Sequence, residues 1–175
     1  MRIGFRHCDP RFPFLWQSAA QPAGRWHADG EGPANYFADT PVGAWAEFLR
    51  HEGIADEGDL AGVRRSLWAV ELPECQFVTP ALSDAVLFGN ESTYVTCQSD
   101  ARRQRAAGAE ALQVRGAALV PGGARGWQAT AGVTPAAPAR DGLVWVLFGP
   151  CPAVGWIACQ GGSPPPEVLP LVRHL

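Results

Sequence analysis

Asn35-Tyr36-Phe37-Ala38 runs through Asp39-Thr40-Pro41 into Val42-Gly43-Ala44-Trp45-Ala46-Glu47-Phe48-Leu49. The first four residues read as a short apolar strand. Thr40 suits a helix N-cap, because its hydroxyl can accept a free backbone N–H. Pro41 suits the first helical position, where its missing N–H would be unpaired anyway. Val42, Trp45, Phe48 and Leu49 recur at helical spacing, so a helix is predicted over Pro41–Glu52, with Gly53 ending it. At about 100° per residue, Glu47 falls roughly opposite that stripe. A strand feeding a helix in this way sets the fold class as α/β (α+β): one domain with a small mixed sheet of mostly short strands and flanking helices.

Working outward, Arg2–Arg6 reads as a short strand, and the Pro-, Gly- and aromatic-rich residues after it as loop. Ser66–Leu72 alternates as a strand. Thr79–Leu87 reads as a short helix. Ser99–Ala107 reads as a second helix, with Ser99 or Asp100 as cap and Arg102, Arg103 and Arg105 on a solvated face. Leu112–Leu119 reads as a strand, and Pro121-Gly122-Gly123 as a turn. Leu143–Phe148 and Val154–Cys159 are the clearest strands, with a Gly/Pro turn between them. Residues 1–160 then form the domain, and residues 161–175 a Pro-rich C-terminal tail.

Composition narrows the functions. The net charge is −3, so no broad basic face for nucleic acid is expected. All 14 basic residues are Arg, which excludes Schiff-base chemistry through Lys. The five Cys form no CxxC pair and do not cluster with the four His, so neither a metal site nor a disulfide framework is expected. Cys8 beside His7 makes a poor nucleophile pair, because adjacent residues usually point different ways. The first residues lack the apolar core of a signal peptide, and the longest apolar stretch, 142–159, is broken by Gly and Pro. A cytoplasmic protein with reduced thiols and no membrane span is expected. Phosphate loops, GxGxxG and GxSxG are absent.

The chemistry concentrates in three pieces: Gly24-Arg25-Trp26, Tyr36 on its strand, and Glu47 on its helix, at equal intervals of eleven residues from Arg25 to Tyr36 to Glu47. Taken singly, such an Arg often only stacks on its neighbour, a strand Tyr is usually core, and a Glu opposite an apolar stripe is usually solvated. Taken as an ordered set, they resemble the RES-domain family, named for an Arg, a Glu and a Ser. Arg6, in Gly4-Phe5-Arg6, is similar to the Arg near that family's N-terminus.

The resemblance implies an ADP-ribosyltransferase-like fold with an NAD⁺ cleft, in a bacterial protein of toxin–antitoxin type. It implies NAD⁺ as substrate, cleaved at the nicotinamide–ribose bond by hydrolysis or phosphorolysis, with phosphate as the co-substrate in the second case. A helix-turn-helix (Xre-type) antitoxin is the implied partner. A homo-oligomer is compatible with the sequence. Arg25, Tyr36 and Glu47 are the candidate catalytic residues, and Arg6, Arg25, Trp26, Tyr36 and Gly116 the candidate ligand-binding residues. The residue types fit that chemistry. An Arg fork grips phosphate oxygens bidentately, and a Tyr face stacks on the cationic nicotinamide ring. A carboxylate beside the ribose stabilises developing oxocarbenium charge.

One departure stands out. The stretch resembling the family's Ser segment is Val114-Arg115-Gly116-Ala117-Ala118-Leu119, which puts Gly116 where the Ser belongs and Arg115 just before it; aligning on Pro121 instead puts Gly122 there, and either way no Ser lies between Ser99 and Ser163. Gly removes a hydroxyl but leaves a backbone N–H that can approach closely, and Arg115 is a candidate replacement phosphate ligand. The alternative to an NAD⁺-consuming enzyme is therefore a weak or inactive NAD⁺/ADP-ribose-binding or protein-interaction module.

Overall fold

A computed structural model describes residues 1–175. One sheet holds seven strands: β1 (Arg2–Cys8), β2 (Ala34–Ala38), β3 (Arg65–Leu72), β4 (Phe77–Val78), β5 (Ala111–Arg115), β6 (Leu143–Phe148) and β7 (Val154–Gly162). Their order is β4-β5-β6-β2-β1-β3-β7. Only the β4–β5 pair is parallel, so the sheet is mixed. Four helices accompany it: α1 (Pro41–Glu52), α2 (Glu57–Leu60), α3 (Asp84–Leu87) and α4 (Tyr94–Ala106), with 3₁₀ turns at Glu91–Thr93 and Pro166–Leu171. The architecture is a single mixed α/β domain. No helix is long and apolar enough to cross a membrane.

The opening stretch folds as its residues dictate. Tyr36 pairs with Val146 of β6, and Ala38 with Val144. The Thr40 hydroxyl accepts from the Gly43 N–H at 3.0 Å, and Gly53 closes α1 in the left-handed conformation at φ 67°. The stripe residues Trp45, Phe48 and Leu49 are buried in one core cluster, and Val42 packs partly buried against it. The helix is covered further round than the stripe suggests: Gly43, Ala44, Ala46 and Arg50 are buried too. Ala118, Leu119, Val168 and Val172 join the same cluster. Glu47, placed roughly opposite the stripe, is half-buried.

Several boundaries move for identifiable reasons. The helix expected at Ser99 begins at Tyr94, because Asn90 caps the preceding 3₁₀ turn by accepting from the Ser92 N–H. Ser99 and Asp100 lie inside it, and Asp100 is buried against Arg103. Arg102 pairs with Glu31 at 3.0 Å and Arg105 donates to the Glu31 carbonyl, so this arginine face ties α4 to the loop before β2. The helix expected over Thr79–Leu87 narrows to Asp84–Leu87, after an extended Ser83. The strand expected to reach Leu119 stops at Arg115, where the Gly116 N–H turns to the Gly142 carbonyl. Leu119 then bridges to Val172, and the Val120 N–H donates to the Leu171 carbonyl. Residues 161–175 thus complete β7 and cover α1, with Val168 and Val172 in the core.

The two faces of the sheet are unlike. Clusters around α1 and around α3–α4 cover one face. Phe14, Leu15 and Ala153 help cover the other, over Phe37, Val70 and Trp145. Strand alternation sends Phe5 and Tyr36 to the helical side and Arg6 and Phe37 to the opposite side. His7 and Cys8 part in the same way: His7 meets the Phe48 ring at 5.2 Å, while the Cys8 thiol lies near the Phe12 carbonyl. β1 and β2 pair at only one position, Phe5 with Ala38, so the sheet forks there.

Candidate functional site

The Gly24-Arg25-Trp26 turn is locked onto β2 and α4. Gly24 and His27 form a bridge, and Gln98 of α4 donates to the Gly24 carbonyl at 2.9 Å. A side chain at position 24 would meet the His27 ring and the Tyr36 hydroxyl at 2.9 Å, which explains the glycine. Trp26 is only 2 % exposed, and its indole belongs to the core beside α4. Its backbone N–H donates to the Tyr36 hydroxyl at 3.0 Å.

Tyr36 has a second partner that spacing did not suggest. The hydroxyl lies 2.8 Å from Nδ1 of the buried His27, whose Nε2 lies 2.9 Å from the Pro22 carbonyl. A carbonyl only accepts, so Nε2 carries the proton, and Nδ1 is left to accept from the Tyr36 O–H. Burial is the main cause holding His27 below its ordinary pKa, which fits this neutral tautomer. Burial also pushes the Tyr36 hydroxyl well above its ordinary value. The phenol is thus a fixed, neutral group.

Arg25 projects against the segment that carries α3. Its Nη2 donates to the Gly89 carbonyl at 2.8 Å and its Nη1 to the Val86 carbonyl at 3.3 Å, while the guanidinium stacks 4.6 Å from the Tyr94 ring. Arg50 of α1 shares the Gly89 carbonyl, at 3.2 Å. Both cations act on Glu47. Burial pushes the Glu47 carboxyl above its ordinary value, and Arg50, Arg25 and the Ala118 N–H pull it back. No ion pair neutralises Glu47, although Arg50 stands only one helical turn away. The cluster therefore offers a half-buried carboxylate with no ion-pair partner, the group able to stabilise a developing cation, and two guanidinium groups near enough to favour its ionised form.

Gly116 sits on the wall of a cavity of about 200 Å³, together with Arg115, Phe88 and Arg173. Its N–H is committed to Gly142 at 2.8 Å and is not free for a ligand, contrary to the role the sequence suggested for it. Arg115 is ion-paired with Asp84 and stacks on Phe88, with Arg173 over the same ring at 4.2 Å. The next residues lead back to the carboxylate, through the Ala117 carbonyl on Arg50 and the Ala118 N–H on Glu47.

Arg25, Tyr36 and Glu47 thus share the helical face of the sheet. Arg6 does not join them. It fills the fork between β1 and β2 from the opposite face, with Nη1 donating to the Asn35 side chain at 3.3 Å and to the Tyr36 carbonyl at 3.5 Å. Burial lowers its pKa to about 10. Two residues escaped the sequence reading. His27 directly follows Gly24-Arg25-Trp26, and that place was a usable signal. Arg50, three residues after Glu47, is only 8 % exposed and looks in sequence like an ordinary helix-end arginine.

No group of three or more His, Cys, Asp or Glu side chains is placed to hold a metal ion, and all five cysteines are free thiols. No curated protein matches the sequence. The family model described as RES domain does match, over residues 1–141, which takes in Arg25, Tyr36, Glu47 and Gly116. With most of its length matched in this way, the chain belongs to the RES-domain family.

Proposed function

We propose that this protein binds NAD⁺ and cleaves its nicotinamide–ribose bond, with water or phosphate as acceptor, in a toxin-like role. The observation that carries the reading is the Glu47 carboxylate, half-buried and free of any ion pair, with the guanidinium groups of Arg25 and Arg50 acting on it. Breaking the C1′–N bond sends its electron pair to nicotinamide, which leaves as a neutral ring. Positive charge then develops on the ribose, where a carboxylate stabilises it and can accept from the 2′-hydroxyl. Water or phosphate adds to C1′, and with water one proton is released.

Binding requires a rearrangement. The cavity beside Gly116 is not lined by Arg25, Tyr36 or Glu47, and its volume of about 200 Å³ is below the roughly 300–1,000 Å³ of ordinary ligand pockets. The carbonyls of Val86 and Gly89 accept from Arg25 where phosphate oxygens would accept in a complex. Displacing this turn would free Arg25 for the pyrophosphate and open the way to Tyr36 and Glu47. The ADP-ribosyltransferase-like reading of the sheet, and a helix-turn-helix antitoxin that blocks the opening, belong to this same proposal.

A second reading is a module that binds NAD⁺ or ADP-ribose without turnover, or that serves protein interaction. It is favoured by Gly116, which offers no hydroxyl and spends its N–H on Gly142. A Cβ there would meet nothing closer than the Gly142 carbonyl oxygen at 3.4 Å, so Gly116→Ser is sterically tolerable. The deciding measurement is nicotinamide release from NAD⁺, with and without phosphate. On the enzyme reading, wild type releases nicotinamide, Glu47→Ala loses about 10²-fold or more, and Gly116→Ser gains. Glu47→Ala protein with wild-type turnover would overturn it. Tight NAD⁺ binding without release would leave the binding module.

A further inference from the structure

We propose that Arg50 is a positioning residue for Glu47: its guanidinium fork gathers three separate segments around that carboxylate while being held off it. The inference deepens the proposed function and rests on it for the identity of the reaction, but not for the geometry.

The guanidinium is buried within the α1 cluster and ends on backbone carbonyls only. Nη1 donates to Ala117, and to Arg173 at 3.2 Å. Nη2 donates to Phe88 at 2.7 Å and to Gly89 at 3.2 Å. These acceptors come from the strand-end loop after β5, the C-terminal segment and the turn after α3. Each also touches the site. Ala117 precedes the Ala118 N–H that faces Glu47. Gly89 is the carbonyl shared with Arg25. Arg173 stacks on Phe88, beside Gly116 on the cavity wall.

An Arg three residues after a Glu on a helix would ordinarily pair with it across one turn. Here four carbonyl acceptors compete for its planar fork, and Glu47 is left without an ion pair. A Lys could not reproduce this, because an ammonium lacks two parallel rows of donors. Arg50 therefore does two things at once. It places the Ala118 N–H and the Gly89 carbonyl, and it leaves the carboxylate open to a ligand while still lending it positive potential.

The charged groups that act on Glu47 are Arg50, Arg25 and His51, with the Ala118 N–H as the dipolar contribution. Arg50 in turn is acted on by Glu47, Arg25, Tyr94 and Arg173. Burial raises Glu47, and Arg50 is the largest of the influences that lower it. Two variants separate charge from position. Arg50→Gln removes both, whereas Arg50→Lys keeps the charge and loses the fork.

The test is a carbon-13 titration of the Glu47 carboxyl in wild type, Arg50→Lys and Arg50→Gln, on protein confirmed folded by its thermal transition, alongside kcat and KM for NAD⁺. The Glu47 midpoint is expected to rise in Arg50→Gln, and to rise by less but resolvably in Arg50→Lys, because the Ala118 N–H is displaced even with the charge kept. With turnover, Arg50→Lys is expected to lower kcat about tenfold or more and to leave KM nearly unchanged, as misplacement of a reacting group does. A wild-type midpoint in Arg50→Lys would make Arg50 a mere neighbouring charge and overturn the proposal. A wild-type midpoint in Arg50→Gln would do the same. If wild type releases no nicotinamide, the reaction assigned to the site fails, while the titration still decides the role of Arg50.

Discussion

Two arginines on opposite faces of one sheet behave as different kinds of structure. Arg50, on the helical face, has four carbonyl acceptors from three segments. Arg6, on the far face, has two long contacts, at 3.3 and 3.5 Å, and no carboxylate partner. Burial pushes the Arg6 pKa down to about 10. The difference teaches where a buried cation is structural. A guanidinium that completes the hydrogen bonding of three loops organises them. One that sits in a fork with loose partners mainly costs desolvation.

Substitution by a shape-matched apolar residue should therefore split the pair. Arg50→Met removes the donor from the Ala117, Arg173 and Phe88 carbonyls, while Gly89 keeps Arg25, and is expected to lose about 3–5 kcal/mol in urea unfolding. A loss within about 1 kcal/mol would break the comparison.

Next in size, Tyr36→Phe strips the donor from His27 and the acceptor from the Trp26 N–H, and is expected to cost about 1–3 kcal/mol. The same helical face sets the acid response. His27 and His7 both have pKa values depressed mainly by burial, His7 to about 3. In the unfolded chain they take up protons near 6.5, while in the folded chain they resist. Stability from this source is thus complete above pH 6.5 and is lost as pH falls towards the folded values. Thermal melts from pH 8 to 4 check the direction, and a flat profile would remove these two histidines from the account.

Glu47→Gln should act with the opposite sign. The Glu47 carboxyl is raised in the fold, so the unfolded chain ionises first, and stability falls as pH rises between the two values. At pH 7 a neutral Gln is expected to stabilise by about 1 kcal/mol, as relief of a strained functional group does, while abolishing turnover. A lower melting temperature at pH 7 would contradict the buried-carboxylate reading. The smallest effect is expected of Arg6→Met, within about 1 kcal/mol either way in the same urea experiment.

How far the site could be read in advance differs residue by residue. Tyr36 and Glu47 were legible because Thr40, Pro41, the Trp45–Phe48–Leu49 stripe and Gly53 fix a strand and a helix locally, and these elements set the direction of both side chains. How far Glu47 is covered was not legible, because Ala118, whose N–H faces it, is distant in sequence. The start of α4 was missed because Asn90 caps a 3₁₀ turn rather than the helix itself. Arg6 resembled a site residue by order along the chain. Strand alternation together with the neighbours of β1 sends it to the other face, and those neighbours are set by strand pairing.

The sequence by itself determined the elements with local causes: the cap and stop of α1, the alternating strand β3, the apolar run of β6 and the Gly24 turn. It also determined the family, through residues 1–141. Tertiary structure alone decided which of these side chains meet. Arg25 and Arg50 converge on the Gly89 carbonyl, and Tyr36 on the His27 ring, while residues 161–175 complete β7 and the cover of α1. The physical reason is range. Caps and periodicity act within a few residues, whereas a buried carboxylate's surroundings are set by which distant segments bring their backbone polar groups to it.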